Sequence, residues 1–219
     1  MLLCIGNILN REETEAFRAE IEALNFVDGR TTAGWAAKLV KDNEQAGADE
    51  RTEAVRRRIA ARILDNELFR LAVRPKALMP LLISRYGPGK QYGTHVDDAL
   101  MRGMRTDVSF TLFLAEPETY AGGELVIESS AGEQSFKLPA GAMVVYPSTS
   151  LHRVAPVQAG ERLAAVGWAR SFIRSAEQRE ILFDLETARR AVFETQGKSE
   201  AFDQLSKCGA NLLRMWAED

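Results

Sequence analysis

Between Leu78 and Ile173 the sequence consists of short strand-like runs separated by glycine and proline turns. The runs are rich in β-branched and aromatic residues, a composition typical of strands. No helix-length pattern interrupts them, which argues against a doubly wound parallel sheet, because parallel strands need long crossovers. We predict a mostly β fold with flanking helices (α+β), built on a double-stranded β-helix (jelly-roll) core. The predicted strands are Leu78–Tyr86, Val108–Leu114, Glu124–Glu128, Gln134–Lys137, Ala142–Tyr146, Leu151–Val154 and Arg162–Phe172.

Amphipathic helices flank this β region on both sides. Asn10, followed three positions later by Glu13, has the pattern of a capping box at a helix start. After the β region, Ser175 and Ser199 are predicted N-caps of two further helices, and Gly197 ends the first of them. The predicted division of the chain is 1–77 as an N-terminal strand and helices, 78–174 as the jelly-roll core, and 175–219 as a C-terminal helix pair.

Two segments are predicted to extend beyond the core. Asn25–Gly47 has no clean period, and we interpret it as an ordered excursion that forms a lid or rim of the active site. The C-terminal helices carry apolar stripes that they cannot bury alone, with Ile181 and Leu182 predicted on the inner face. These helices should fold back onto the core or form a homodimer with a second copy.

The amino-acid composition narrows the classes of molecule that this protein could bind. The 219 residues carry a net charge of -3, which gives no sign of a nucleic-acid partner. No apolar run approaches the roughly 18 residues of a membrane span, and the short apolar opening lacks the basic region of a signal peptide. Cys4 and Cys208 lie far apart, which excludes a disulfide framework. We therefore expect a cytoplasmic protein with no membrane partner.

The chain contains two histidines, and each lies in an extended run. His95 and Asp97 stand at i and i+2 after a Gly-Pro-Gly turn, so their side chains share one face of a strand. His152 lies in a second run of the same β region. Two imidazoles and one carboxylate are the ligand set of a mononuclear non-haem Fe(II) centre.

Arg162 begins a strand in which alternate residues are apolar. It shares a face with Ala164, Val166 and Trp168, which predicts that it points into a cavity. An inward guanidinium needs an anion, and its planar fork suits a carboxylate. The alternative is an arginine at the strand mouth, paired with Glu161.

Tyr86 ends the apolar run before the Gly-Pro-Gly turn, and its phenol could donate a hydrogen bond into the same cavity. A purely structural tyrosine is the alternative, and Tyr92 is a second candidate. With Fe(II) at one end and Arg162 at the other, the cavity suits a linear dicarboxylate that carries a 2-oxo acid group. That ligand is 2-oxoglutarate.

The ensemble of His95, Asp97, His152 and Arg162, with Trp168 six residues past the arginine, resembles the Fe(II)/2-oxoglutarate-dependent dioxygenases of the prolyl-hydroxylase-like branch. More closely, the chain is similar to the bacterial PKHD-type hydroxylases. The resemblance covers essentially the whole length, including the Y-G-P-G approach, the A-G-G-E-L-V-I turn and the terminal helices. It implies Fe(II) on the two histidines and the aspartate, and 2-oxoglutarate on the arginine.

The resemblance also carries implications about cofactors and substrate. It implies Tyr86 and Trp168 near the cosubstrate, O₂ as the second cosubstrate, and ascorbate (vitamin C) as the reductant of iron. Phe113 stands where some relatives have a second cosubstrate-binding tyrosine. The implied reaction is C–H hydroxylation with release of succinate and CO₂. The implied substrate is a peptidyl-prolyl group or a small molecule of iron uptake.

Two other functions fit part of this pattern. A non-catalytic β sandwich that binds metal or a small acid would use the same three ligands but would not need Arg162. A zinc hydrolase would act without O₂, yet the sequence offers no obvious general base beside the three ligands. Succinate formation with iron and 2-oxoglutarate distinguishes the dioxygenase from both.

Overall fold

Two antiparallel sheets face each other in the computed structural model, which describes residues 1–218. The helices are α1 (Arg11–Glu22), α2 (Glu50–Asp65), α3 (Glu67–Val73), α4 (Ala176–Gln196) and α5 (Glu200–Trp216). The strands are β1 (Leu3–Ile5), β2 (Phe26–Asp28), β3 (Lys41–Asp42), β4 (Glu44–Ala46), β5 (Pro75–Leu78), β6 (Leu82–Tyr86), β7 (Gln91–His95), β8 (Leu100–Met101), β9 (Met104–Arg105), β10 (Val108–Phe113), β11 (Tyr120–Gly122), β12 (Leu125–Ser129), β13 (Gly132–Phe136), β14 (Met143–Pro147), β15 (His152–Val154), β16 (Val157–Gly160) and β17 (Arg162–Ser171).

The strand order shows how the sandwich is built. The larger sheet runs β1-β14-β10-β17-β6-β4-β2, with β5 also paired to β17, and the smaller sheet runs β13-β12-β15-β7-β3. Neighbours in both sheets are antiparallel, and most are distant in sequence, as in a jelly roll. The predicted jelly-roll core with flanking helices is confirmed.

Strand β10 lies inside the larger sheet, between β14 and β17, and all of its residues are buried. Phe110 and Leu112 belong to the core that also contains the inner faces of α1 to α3. Phe69 of α3 meets Phe110 edge-on, with ring centroids 5.5 Å apart. Phe113 belongs to a second apolar cluster, with residues of β12 and β14. The strand is therefore covered by helices on one face and by the smaller sheet on the other.

The predicted strand boundaries hold within two residues, with one exception. The run predicted as a single strand, Leu78–Tyr86, is divided into β5 and β6. Pro80 lies in the gap, and it has no N–H to donate to a neighbouring strand. Met79 still donates its N–H to the carbonyl of Trp168 at 2.9 Å. The break between β5 and β6 therefore follows from the missing N–H of Pro80, which a pattern of apolar residues does not reveal.

The predicted helix caps are found in the structure. The Asn10 side chain accepts from the Glu13 N–H at 2.8 Å, and Glu13 accepts from the Asn10 N–H at 3.0 Å, which completes the capping box. Ser175 accepts from the N–H of Gln178 at 3.1 Å and begins α4. Gly197 ends α4 with a φ of 62°, a backbone conformation that favours glycine.

The segment predicted as an excursion adds strands to both sheets. Gln45 of β4 is paired with Ser84 of β6, and Lys41 of β3 is paired with Tyr92 of β7. This segment therefore spans from one sheet to the other and closes one side of the space between them. It supplies part of the lining of the main cavity, as a rim should.

The C-terminal helix pair folds back onto the core. Leu182 of α4 is buried, whereas its neighbour Ile181 is 50% exposed, so the prediction that Ile181 faces inward is wrong. Adjacent helical residues point about 100° apart, so both cannot lie on one narrow stripe. Beyond α5, Glu218 forms an ion pair with Arg105 at 2.7 Å. Within residues 1–218, no helix combines the length and apolar character needed to cross a membrane.

Candidate functional site

Strands β7 and β15 bring the two histidines together. His95 and His152 are direct cross-strand partners, and their ring centroids lie 4.2 Å apart. Asp97 follows β7, and its Oδ2 lies 3.8 Å from Nε2 of His152. One ligand atom from each of the three residues lies within 4.8 Å of the other two. The structure thus gathers all three residues that the sequence selected as metal ligands.

Each imidazole is oriented by a backbone carbonyl. Nδ1 of His95 lies 2.8 Å from the oxygen of Gly93, and Nδ1 of His152 lies 3.0 Å from the oxygen of Ser150. A carbonyl oxygen only accepts, so Nδ1 carries the proton in both rings. Nε2 then keeps its lone pair, which is the atom a metal requires.

The surroundings of His95 keep it neutral. Burial lowers its pKa to about 4, and the neighbouring His152 acts in the same direction. The Tyr92 ring stacks on His95 at a centroid distance of 3.7 Å. Because metal ligands must be deprotonated, His95 is ready to bind a cation at neutral pH.

Asp97 supplies the negative charge of the cluster. Its side chain is 6% exposed, and its Oδ2 accepts a hydrogen bond from the Ser109 hydroxyl at 2.6 Å. Ser109 lies on β10, so an inner strand of the larger sheet positions a carboxylate that follows a strand of the smaller sheet. The oxygen that accepts from Ser109 is also the one that lies 3.8 Å from Nε2 of His152, so this hydrogen bond orients the carboxylate within the cluster.

Arg162 is a buried cation with no hydrogen-bond or ion-pair partner among residues 1–218. It is 1% exposed, and none of its guanidinium nitrogens has a hydrogen-bond partner among the described residues. The guanidinium lies 5.2 Å from the Tyr86 ring centroid and 5.4 Å from that of Phe113. Glu161 instead approaches Arg85 at 3.7 Å, so the alternative of an Arg162–Glu161 pair is wrong. A buried charge without a counter-charge destabilises a protein by several kcal/mol, and an anion bound at this position would offset that cost.

Tyr86 is the cross-strand partner of Arg162 and lines the same cavity. Burial raises the pKa of its phenol, and the positive charge of Arg162 acts in the opposite direction. The phenol is therefore protonated at neutral pH and can donate a hydrogen bond.

Trp168 lines the cavity far from Arg162. The two residues are six positions apart on β17, about 20 Å at the usual rise of a strand. Trp168 is paired with Ser109, the residue that holds Asp97. Its indole Nε1 is buried and has no hydrogen-bond partner within residues 1–218. Trp168 therefore belongs to the metal end of the cavity.

Sequence reasoning missed several buried polar residues that line this cavity, which has a volume of about 430 Å³. Among them are Ser109, Lys41 and Asn43. Lys41, Asn43 and Gln45 alternate along β3 and β4, and all three line the cavity. That period of two was visible in the sequence, but two-residue strands are too short to recognise by pattern.

The arrangement suits one kind of chemistry. Two imidazole nitrogens and a carboxylate on one side of a cation match the facial triad of non-haem Fe(II) sites and leave positions open. An unpaired guanidinium in the same cavity suits the far carboxylate of a ligand that chelates the metal. The residues present therefore fit both Fe(II) and 2-oxoglutarate.

Comparisons with known proteins agree with this chemistry. Residues 81–170 match the model of the 2OG-Fe(II) oxygenase superfamily, and residues 177–218 match that of the PKHD-type hydroxylase C-terminal domain. A PKHD-type hydroxylase of Picosynechococcus sp. is 54% identical over 219 residues, covering 100% of both chains. Another, from Acaryochloris marina, is 50% identical with the same coverage.

Among solved structures, a Pseudomonas putida prolyl-4-hydroxylase superposes with a TM-score of 0.52 at 25% sequence identity. The match covers 78% of this chain and 92% of that one. The full-length identity to curated relatives settles the family, and the structural match agrees on the fold. The chain belongs to the PKHD-type hydroxylases, which are 2-oxoglutarate- and Fe(II)-dependent dioxygenases.

Proposed function

We propose that the protein hydroxylates a C–H bond of a prolyl group in a peptide or of a small molecule used in iron uptake. His95, Asp97 and His152 hold Fe(II), and Arg162 binds the C5 carboxylate of 2-oxoglutarate. Tyr86 donates a hydrogen bond to the cosubstrate. Any contact of Trp168 with the cosubstrate is confined to its metal-chelating end, because Trp168 lies far from Arg162 along β17.

The observation that supports this proposal best is the pairing of a complete ligand triad with an orphaned guanidinium in one cavity. A site that only stored metal would not need Arg162. The buried guanidinium would then destabilise the protein without contributing to function. The prolyl alternative is also supported by the structural match to a prolyl-4-hydroxylase.

Iron, 2-oxoglutarate and O₂ together supply an oxidant that converts C–H to C–OH, while the cosubstrate becomes succinate and CO₂. The protein contributes orientation and exclusion of water. The carbonyls of Gly93 and Ser150 fix the two imidazoles, and Ser109 fixes the carboxylate of Asp97. Arg162 sets the direction of the cosubstrate, because its fork holds one end of a linear molecule.

Three further features belong to this proposal. Ascorbate serves as the reductant that keeps iron in the ferrous state. The protein works in the cytoplasm, in keeping with the exposed free thiols of Cys4 and Cys208, which a reducing compartment preserves. A homodimer forms through α4 and α5, and light scattering on the purified protein tests this.

The function is tested with the purified protein under anaerobic conditions. Addition of Fe(II) and 2-oxoglutarate should produce a visible metal-to-ligand charge-transfer band, and O₂ should then release succinate. His152→Ala should lose both signals. Arg153→Gln is the matched control, because Arg153 is the next residue of β15 and pairs with Glu133 at the surface. Neither band nor succinate, in a protein that is folded and loaded with metal, would indicate a binding module instead of an enzyme.

A further inference from the structure

Lys41 is a second buried cation in the main cavity. It is 5% exposed, and no carboxylate of the described residues lies within ion-pair distance of its Nζ. Its Nζ contacts the Thr32 hydroxyl, at 3.0 Å, and the Tyr92 ring, whose centroid lies 5.1 Å away. Tyr92 in turn stacks on His95. The Tyr92 ring therefore contacts both the Lys41 ammonium and His95, one of the candidate metal ligands.

The neighbours of Lys41 leave most of its hydrogen-bonding capacity unused. An ammonium has three N–H donors, and Thr32 accepts one of them. The Thr32 hydroxyl has two acceptors within reach, Oε1 of Gln45 at 2.5 Å and the carbonyl of Gly29 at 3.0 Å, so its proton is not available to a ligand. Two donors of Lys41 remain for a group in the cavity.

Asn43 is a second polar residue on the same wall. It is 2% exposed and stands two residues after Lys41, so both side chains line the cavity. Its amide atoms have no hydrogen bond of regular geometry within residues 1–218, but Asn43 lies close enough to the Tyr86 phenol to lower the pKa of that group. Asn43 therefore lies beside the residue assigned to the cosubstrate, and Lys41 is the group on this wall that has donors left for another ligand.

The charges of the loaded site show what kind of ligand this is. A ferrous ion and dianionic 2-oxoglutarate, together with Asp97 and Arg162, carry no net charge. Lys41 is then the buried cation with no carboxylate at ion-pair distance among the described residues, and Asp97 and Asp28 attract it only from farther away. At the rim, Arg102 also lines the cavity as an exposed cation, and Asp98 is an exposed anion beside Gly34. Lys41 therefore makes its part of the cavity wall positive.

We propose that the substrate carries a carboxylate that binds Lys41. A monoanion matches a single ammonium, whereas a dianionic phosphate would call for more than one cation. This inference rests on the proposed function, because it assigns the second wall of the same cavity to the molecule that is hydroxylated.

The test uses the anaerobic protein loaded with Fe(II) and 2-oxoglutarate. The probes are the N-acetyl derivatives of the common amino acids as free acids, each paired with its primary amide of nearly the same shape. We expect at least one acid to perturb the charge-transfer band and accelerate succinate release once O₂ is admitted. Its amide should bind at least about tenfold more weakly, a difference of about 1.4 kcal/mol.

Three variants test whether the preference for the acid over its amide depends on Lys41. Lys41→Met should bind the acid as weakly as the amide, while its dissociation constant for 2-oxoglutarate stays within twofold of the wild type. Lys41→Arg should restore the preference for the acid. Lys38→Met is the matched control, because Lys38 is an exposed lysine of the same segment that does not line the cavity, and it should keep the preference.

Several outcomes would overturn the proposal. Acids and amides could bind equally, or no acid could perturb the band. Loss of 2-oxoglutarate affinity in Lys41→Met would make Lys41 a cosubstrate contact instead. All of these differ from failure of the proposed function, in which the metal-loaded wild type shows neither band nor succinate.

Discussion

The Ser109 hydroxyl donates a 2.6 Å hydrogen bond to Asp97 and lies 2.8 Å from the hydroxyl of Ser148. Because the Ser109 proton is given to the carboxylate, Ser148 must donate to Ser109. Both serines are buried. A short chain of hydroxyls thus connects the interior of the larger sheet to the carboxylate of the candidate metal site.

Ser109→Ala should lower the affinity for Fe(II) by about 10- to 100-fold, the usual effect of removing a group that orients a metal ligand. Calorimetric titration with Mn(II) or with anaerobic Fe(II) measures the change. Ser135→Ala is the control, since Ser135 is an exposed serine of β13. Unchanged metal affinity in Ser109→Ala would show that Asp97 needs no support from β10.

Arg162→Met should lower 2-oxoglutarate affinity by about 100-fold, since a desolvated charge pair is worth about 2–5 kcal/mol when one partner is removed. The wild type should discriminate strongly against 2-oxopentanoate, which has a methyl group in place of the far carboxylate. The variant should bind both acids alike. Titration of the charge-transfer band measures all four affinities, and persistent discrimination would place the carboxylate contact elsewhere.

Lys41→Met should stabilise the metal-free protein at pH 7. Burial lowers the pKa of Lys41 to about 8, against about 10.4 for an unfolded lysine. The unfolded chain therefore binds a proton that the native state lacks between these values, so wild-type stability rises with pH there. Below pH 8 the penalty is complete, on the order of 3 kcal/mol.

Urea unfolding of wild type and Lys41→Met at several pH values checks this expectation. The difference in unfolding free energy between Lys41→Met and the wild type should be largest at pH 7 and should decrease as the pH rises from about 8 to about 10. Lys38→Met, at an exposed position, should show little gap at any pH. A variant that is less stable than the wild type at pH 7 would contradict the interpretation of Lys41 as a functional cost.

Gly123→Ala should weaken cosubstrate binding by about tenfold, equivalent to about 1.4 kcal/mol. Gly123 has a φ of +70°, and an added Cβ would lie 3.1 Å from Cδ of Arg162 and 3.0 Å from Val157. Gly132→Ala is the control, with a φ of +105° and no atom within 4 Å of the added Cβ. Both variants should lose stability from backbone strain, but only Gly123→Ala should raise the KM for 2-oxoglutarate.

Much of the fold could be predicted because its determinants are local. Alternating runs with glycine turns gave the strands of the core to within two residues, except where Pro80 divides a run. Capping residues such as Asn10 marked helix starts, because the hydrogen bonds they make span three residues. Ile181 was wrongly placed on the inner face, because residue type alone does not distinguish an apolar residue within the buried stripe of a helix from one beside that stripe.

The sequence by itself determined which groups could bind a metal: with two histidines and an H-x-D pair, the choice of His95, Asp97 and His152 needed no long-range information. Only the tertiary structure decided which cations are buried without a counter-charge. Lys41 lies in a polar stretch without a clear period, and it is buried because β3 pairs with β7. Burial of that kind depends on contacts between residues distant in sequence, which no local pattern records.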